Sequence, residues 1–278
     1  MDIKKYLNFI KVEHTLFSLP LIYAGVFLAS DSFPSVRLLI LVLFAAIFAR
    51  ISAMTANRII DAEIDKRNPR TKGREIPSGK ISLRKAYLIL TLSLAGYFGT
   101  AYLISPFCFY LSPIPIVVFI FYPYMKRFTH FAHFGVGLGL SMGPLGGWFA
   151  VKNSFADITP GALLSLFTLF WATSFDIIYS TLDEEFDRLN NLNSFPVKFG
   201  KKKALFYSVV LHSISYIFLF LLFISNTKNI ISFVFFVIVG VILYFEHKFA
   251  EKDVELAFFK LNAVVSFVVF LMVIVRGV

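Results

Sequence analysis

Nine apolar runs set the limits on what this chain can fold into. They fall at approximately residues 13–30, 36–60, 83–104, 106–124, 133–151, 160–183, 203–225, 229–246 and 256–275. Each is near the ~20 residues that carry a helix across a bilayer. Backbone polar groups in lipid must pair within the protein, so such runs form helices. The sequence therefore predicts an all-α, polytopic membrane protein, organised as one domain over residues 1–278. A mean hydropathy of +0.75 excludes an ordinary soluble domain. The weakest break between runs is Ser105-Pro106. The 35 Phe are assigned mainly to lipid contact. Residues 2–11 (Asp2 to Lys11) read as a short interfacial helix. The run after Glu13 and His14 reads as an uncleaved first helix rather than a signal peptide. Cys108 is the one cysteine and can form no internal disulfide.

The charge of +10 is carried in loops, not on a basic soluble face, so no nucleic-acid partner is expected. Lys4, Lys5, Lys11, the basic loop 66–85, Lys126, Arg127, Arg188, Lys198, Lys201–Lys203, Lys248, Lys252 and Lys260 fall on one side. Only Arg37, Lys152, Lys228 and Arg276 fall on the other. This bias predicts a cytoplasmic N-terminus and an odd number of spans. Lys201, Lys202 and Lys203 serve as a topology signal or an anionic-lipid contact in this reading.

Two stretches mirror each other at the ends of the second and sixth runs. The first carries Asn57, Asp61 and Asp65; the second carries Asp176, Tyr179, Asp183 and Asp187. On a continuous helix, residues four apart share a face. Arg50 precedes Asp61 by the same eleven residues that separate Asp176 from Asp187, and such a step returns to nearly the same direction. Each helix thus places a charged group within the membrane and carboxylates at its mouth. Glu63, Glu184 and Glu185 fall off that face and read as solvated. Intramembrane ionisable groups are costly and mark functional sites. For Arg50 and Asp176 two readings stay open: they bind a substrate, or they pair with each other.

Four converging carboxylates need compensation. Mg²⁺ takes oxygen ligands and is commonly shared between a few carboxylates and substrate phosphates. The loop after the first motif offers Arg67, Arg70, Lys72 and Arg74 as phosphate donors, with Asn68-Pro69 shaping a turn. Tyr122 and Lys126, one helical turn apart, add a hydroxyl and an ammonium. A diphosphate beside a greasy cavity suggests a polyprenyl diphosphate. His130 and His133 stand at a metal-compatible spacing but read as interfacial histidines. The glycines at 135, 137, 139, 143, 146 and 147 suit close helix packing or room for a bound chain.

Asn57-x3-Asp61-x3-Asp65, Arg70, Arg74, Tyr122-x3-Lys126 and Asp176-x2-Tyr179-x3-Asp183-x3-Asp187 resemble the UbiA superfamily of intramembrane aromatic prenyltransferases. Residues 13–20, 74–79 and 194–200 resemble its 4-hydroxybenzoate polyprenyltransferase branch. The resemblance covers essentially the whole chain, with Arg58 standing where many members have Asp. It implies about nine helices around a central cavity in the cell inner membrane, with an active site facing the cytoplasm. It implies Mg²⁺ on Asp61, Asp65, Asp183, Asp187 and Asn57. Polyprenyl diphosphate would meet Asn57, Arg70, Arg74, Tyr122, Lys126 and Lys198, and an aromatic acid would meet Arg50. Tyr179 and Asp176 would stand near the reacting carbon. The expected activity is a polyprenyl transfer in ubiquinone or menaquinone synthesis. Dihydroxynaphthoate or haem acceptors stay open, as does the oligomeric state. An ion or organic-anion transporter is the rival of another class, but its site belongs at the midplane rather than at one mouth.

Overall fold

The computed structural model describes residues 3–10, 15–250, 252–254 and 256–277. Asp2, Lys11, Glu13 and His14 lie outside the described residues. No strand occurs among the described residues. The helices are α1 (Ile3–Ile10), α2 (Thr15–Ala29), α3 (Val36–Ile60), α4 (Ala62–Arg67), α5 (Leu83–Ile104), α6 (Pro106–Leu111) and α7 (Pro113–Met125). They continue as α8 (Ala132–Lys152), α9 (Thr159–Ser180), α10 (Glu184–Leu189), α11 (Phe195–Phe199), α12 (Lys201–Asn226), α13 (Ile230–Phe249) and α14 (Asn262–Ile274). Among the described residues eight spans are long and apolar enough to cross a membrane, with α6 and α7 together forming one. The shorter apolar helix Ser18–Ala29 adds to them. This is the all-α, eight-to-nine-helix architecture expected from the apolar runs.

Local chemistry sets the helix ends. Ser35, Ser82, Ser105 and Asn229 each accept a backbone N–H in the first turn of the helix that follows. Pro106 and Pro160 sit in first turns, where the missing N–H costs nothing. The Ser105-Pro106 break falls where it was expected. A second break, at Ser112-Pro113, divides the fourth run into α6 and α7.

Helix α9 forms the centre. Leu164, Phe167, Trp171, Ile177 and Ile178 along it are fully buried, and it packs against α8 and α12. Helix α8 packs in turn on α2, and α2 on α14, while α3 packs on α5 and α7. A cavity of about 640 Å³ lies among α2, α3, α5, α6, α7, α8 and α9. Helix α1 buries Phe9 against Ile81 and Ala86, with Ile59 and Ile76 alongside. It therefore braces the loop that follows the first carboxylate motif.

The glycines of α8 divide between both expected roles. A Cβ on Gly147 would stand 2.2 Å from the Ile22 carbonyl oxygen, and one on Gly137 would stand 2.4 Å from that of Leu169. These two admit the backbones of α2 and α9. Gly139 and Gly146 instead border the cavity, and a Cβ on Gly146 would meet nothing within 4 Å. Gly147→Val should therefore destabilise the folded protein by at least about 2 kcal/mol, as an overpacked interface does. Gly146→Ala should leave it unchanged. Thermal unfolding in detergent checks both, and equal melting temperatures for the two variants would contradict this packing.

Candidate functional site

Neither carboxylate motif lies on an unbroken helix. Helix α3 ends at Ile60, and Asp61 caps it in a turn conformation (φ −93°, ψ 3°) before α4 begins. Helix α9 ends at Ser180, and a 3-10 turn, Thr181–Asp183, leads into α10. The continuous-helix expectation is corrected at both places. Across these breaks the four aspartates border one small pocket. That pocket, about 160 Å³, is lined by Asn57, Asp61, Asp65, Arg70, Arg74, Lys126, Asp183 and Asp187, among others.

Each of three aspartates has a basic partner from another segment. Lys126 Nζ lies 2.7 Å from Asp61 Oδ2, and Asn57 donates to the same oxygen at 3.2 Å. Arg74 Nη1 donates to Asp65 Oδ1 and Oδ2 at 2.7 and 2.8 Å. Arg58, almost fully buried, lies 3.9 Å from Asp65 Oδ2. The Arg70 guanidinium makes a two-pronged bond to Asp183 and donates to the Tyr179 hydroxyl at 2.7 Å. Burial pushes the Asp61 carboxyl up, against the pull of the Lys126 ammonium. Burial also works against the Arg70 charge, but its bonds to Asp183 and Tyr179 outweigh this and hold its pKa above the ordinary value.

Asn68 joins the two motifs. Its amide donates to Asp183 Oδ1 at 2.9 Å, and its side-chain oxygen accepts the Arg70 backbone N–H at 2.9 Å. One residue thus shapes the turn that aims Arg70 and also clasps the distant aspartate. The sequence suggested only the turn. Arg127, also not singled out, caps the end of α3 through the Ile60 carbonyl at 2.7 Å. Lys198 stands apart: it is exposed and borders neither pocket.

Asn57 and Arg74 border both the polar pocket and the large cavity, so the two adjoin. Arg50, Tyr122, Asp176 and Tyr179 line the cavity, together with Phe119, Phe149, Phe175 and Phe258. Gly135 makes room for Tyr122, whose Cβ a side chain there would approach to 2.6 Å. Tyr179 stacks on Phe258 with ring centres 4.1 Å apart, a contact that lay outside the sequence motifs.

The reading of His133 as an interfacial histidine is overturned. It is buried, and its Nδ1 lies 2.7 Å from Asp176 Oδ2. No ion pair joins Arg50 to Asp176 among the described residues. His130 packs among Phe131, Phe195 and Phe199 instead. Glu63 and Glu185 are exposed, as expected.

Among the described residues no three His, Cys, Asp or Glu side chains form a ready-made metal cage. The donor set nonetheless fits Mg²⁺. Its atoms are hard carboxylate and amide oxygens, and Asp61 Oδ1 is buried with no hydrogen-bond partner. Such a site suits an ion that shares its coordination with water and phosphate.

The UbiA homolog from Aeropyrum pernix K1 shares this fold with a TM-score of 0.88. It is 29% identical, and the match covers 96% of this chain and 99% of that one. A UbiA homolog from Archaeoglobus fulgidus, solved bound to GPP and Mg²⁺, has the same fold at a TM-score of 0.75 and 21% identity, over 97% of this chain and 99% of that one. The 4-hydroxybenzoate octaprenyltransferase of Vesicomyosocius okutanii subsp. Calyptogena okutanii (strain HA) is 30% identical over 233 residues, 83% of each protein. That of Legionella pneumophila (strain Corby) is 29% identical over 188 residues, 67% of this chain and 66% of that protein. Residues 18–274, nearly the whole chain, match the UbiA prenyltransferase family, and the protein belongs to that family.

Proposed function

We propose that this membrane prenyltransferase moves a polyprenyl group from its diphosphate to a ring carbon of an aromatic acid, 4-hydroxybenzoate, in quinone biosynthesis. One observation carries the reading. A pocket of carboxylates and basic side chains adjoins a largely apolar cavity, with Asn57 and Arg74 in both walls. That pairing suits a molecule with a diphosphate head and a hydrocarbon tail. The octaprenyltransferase names of relatives at about 30% identity support the acceptor.

Asp61, Asp65, Asp183, Asp187 and Asn57 would hold Mg²⁺ at the mouth, where the ion neutralises the diphosphate. Arg70, Arg74 and Lys126 would release their carboxylates and grip phosphate oxygens, steadying the negative charge that grows on the leaving group. The bond from the prenyl carbon to diphosphate oxygen breaks, a bond to the ring carbon forms, and the ring proton passes to the released diphosphate. The electron-rich faces of Tyr179 and Tyr122 would stabilise the cation-like prenyl carbon. Apolar walls keep water from it. Arg50 would bind the acceptor carboxylate, and Asp176 would accept a hydrogen bond from its hydroxyl. Lys198, exposed as it is, would meet a substrate only at the outer rim. The carboxylate mouth would face the cytoplasm of the cell inner membrane, and residues 1–278 would act as one catalytic domain.

Asp61→Asn and Asp183→Asn should each cut turnover about 100-fold or more without unfolding the protein, because each removes a charge from the mouth. Assays with geranyl diphosphate, 4-hydroxybenzoate and limiting Mg²⁺ read this directly. Near-normal rates in both variants would contradict the metal assignment.

Arg50→Lys keeps the charge but loses the two-pronged geometry, so it should raise the acceptor KM about 10-fold. The diphosphate KM should stay as it is. Arg70→Ala should show the opposite pattern. Steady-state kinetics varying each substrate in turn separates the two, and matched shifts in both KM values would remove Arg50 from the acceptor site.

The orientation has its own check. With Cys108 replaced, Lys72→Cys and Lys202→Cys should react with impermeant thiol reagents only from the cytoplasmic side. Lys152→Cys and Lys228→Cys should react only from the other. Same-side labelling of Lys72→Cys and Lys152→Cys would reverse the charge-based reading.

A further inference from the structure

His133 has no part in the chemistry derived so far, yet its setting is built with care. It lies in the first turn of α8, is 5% exposed, and borders neither pocket. Both ring nitrogens are engaged. The Phe195 backbone N–H donates to Nε2 at 3.3 Å, and Nδ1 lies 2.7 Å from Asp176 Oδ2.

These two contacts fix the tautomer. A backbone amide can only donate, so Nε2 must present its lone pair. A neutral imidazole then carries its proton on Nδ1, where it donates to the carboxylate. Oδ2 of Asp176 is thereby occupied and the direction of its carboxyl group set.

The surrounding sequence supports the arrangement. Gly137, one turn after His133, lets α8 approach the Leu169 carbonyl and Thr173 of α9, one to two turns before Asp176. A larger residue at 137 would part the helices and carry His133 out of reach. Ser194 caps α11 by accepting the Val197 N–H, which fixes the Phe195 amide. The Phe195 ring packs edge-on to His133 with ring centres 5.7 Å apart.

We propose that His133 is a positioning residue for the acceptor site. Its Nδ1–H holds Asp176 in the orientation that receives the acceptor hydroxyl, while the Phe195 amide locks the ring in that tautomer. The inference rests on the reading of Asp176 as an acceptor contact.

The test compares three variants of the full chain with geranyl diphosphate and 4-hydroxybenzoate, alongside melting in detergent. His133→Ala should lower kcat/KM for the acceptor on the order of 10- to 100-fold, the worth of a hydrogen bond to a charged group. The diphosphate KM should not move. His133→Asn places an amide N–H near the Nδ1 position and should recover much of the loss. His133→Gln can still accept the Phe195 N–H but loses the donor to Asp176, and should not. Recovery by Gln and not by Asn would overturn the proposal in favour of a structural anchor for Phe195. Wild-type acceptor kinetics in His133→Ala would overturn it too. Asp176→Asn run in parallel identifies what failed. If it is as active as wild type, the acceptor reading itself falls and the proposal with it. If it is impaired while His133→Ala is not, only the role of His133 falls. A spectroscopic readout is independent of substrate. ¹⁵N-histidine NMR, assigned with His133→Asn, should show a proton on Nδ1 and a lone pair on Nε2. A ring with its proton on Nε2 instead would overturn the proposal.

Discussion

Negative charge at one face of the bundle is the constraint on which the site depends. Helices α3 and α7 end there, and α9 ends beside them in its 3-10 turn. Helix C-termini carry a partial negative charge, to which Asp61, Asp65, Asp183 and Asp187 add full ones. Exposed Coulomb repulsion would drive these ends apart. The structure compensates with Lys126, Arg127, Arg58, Arg74 and Arg70, three of them paired closely with a carboxylate. The basic loop after α4 is thereby folded back over the mouth, and Asn68 and Arg70 tie the first motif to Asp183 in the second. Because carboxylates and cations are nearly matched, a diphosphate brings charge that nothing here balances. Divalent cations arriving with it would restore the balance. The basic side chains could then turn to phosphate while the carboxylates turn to metal.

Helix α8 converts small residues into site geometry. At Gly137 and Gly147 the backbones of α9 and α2 approach more closely than any Cβ allows. At Gly135 the same absence of a side chain admits Tyr122, and at Gly139 and Gly146 it leaves cavity volume. One helix thus sets the spacing of its neighbours on some faces and enlarges the binding space on others. Close packing here replaces the hydrophobic effect, which lipid cannot supply between helices. The reach of His133 to Asp176 depends on that spacing, so the packing and the polar chemistry of α8 and α9 are one arrangement.

The spans, the Ser105-Pro106 break and the mirrored aspartates were legible in the sequence because each rests on a local signal: length of apolar run, a proline, or spacing along a helix. The breaks at Asp61 and at 181–183 were not legible. Spacing arguments assume a continuous helix, whereas both motifs are interrupted within a few residues of their carboxylates. Asn68 looked like a turn residue because its partner, Asp183, is 115 positions away. His133 was misread for the same reason, since Asp176 is 43 positions distant and nothing near it in the chain suggests a carboxylate. Glu184, read only as solvated, bonds to Arg188 four residues on, a local pair. Lys198, a basic residue in a matching segment, is exposed at the surface.

Depth along α3 separates the two halves of the proposed reaction. Arg50 precedes Asp61 by eleven residues, about 16 Å of helix rise. In that proposal a diphosphate at the mouth and an acceptor carboxylate at Arg50 would be held well apart, and the reacting carbons would meet between them. Tyr179 stands at that level, three residues after Asp176 and four before Asp183 in the same descending segment. Its hydroxyl is held by Arg70 of the mouth, and its ring is held by Phe258 of the cavity wall. Phe258 is itself buttressed edge-on by Phe175, and Phe175 by Trp171, each ring fixed by the next. A cation-like carbon needs an electron-rich face that does not yield and does not donate a nucleophile. Tyr179 meets the first condition through this aromatic stack. It meets the second because its hydroxyl is engaged by the Arg70 guanidinium.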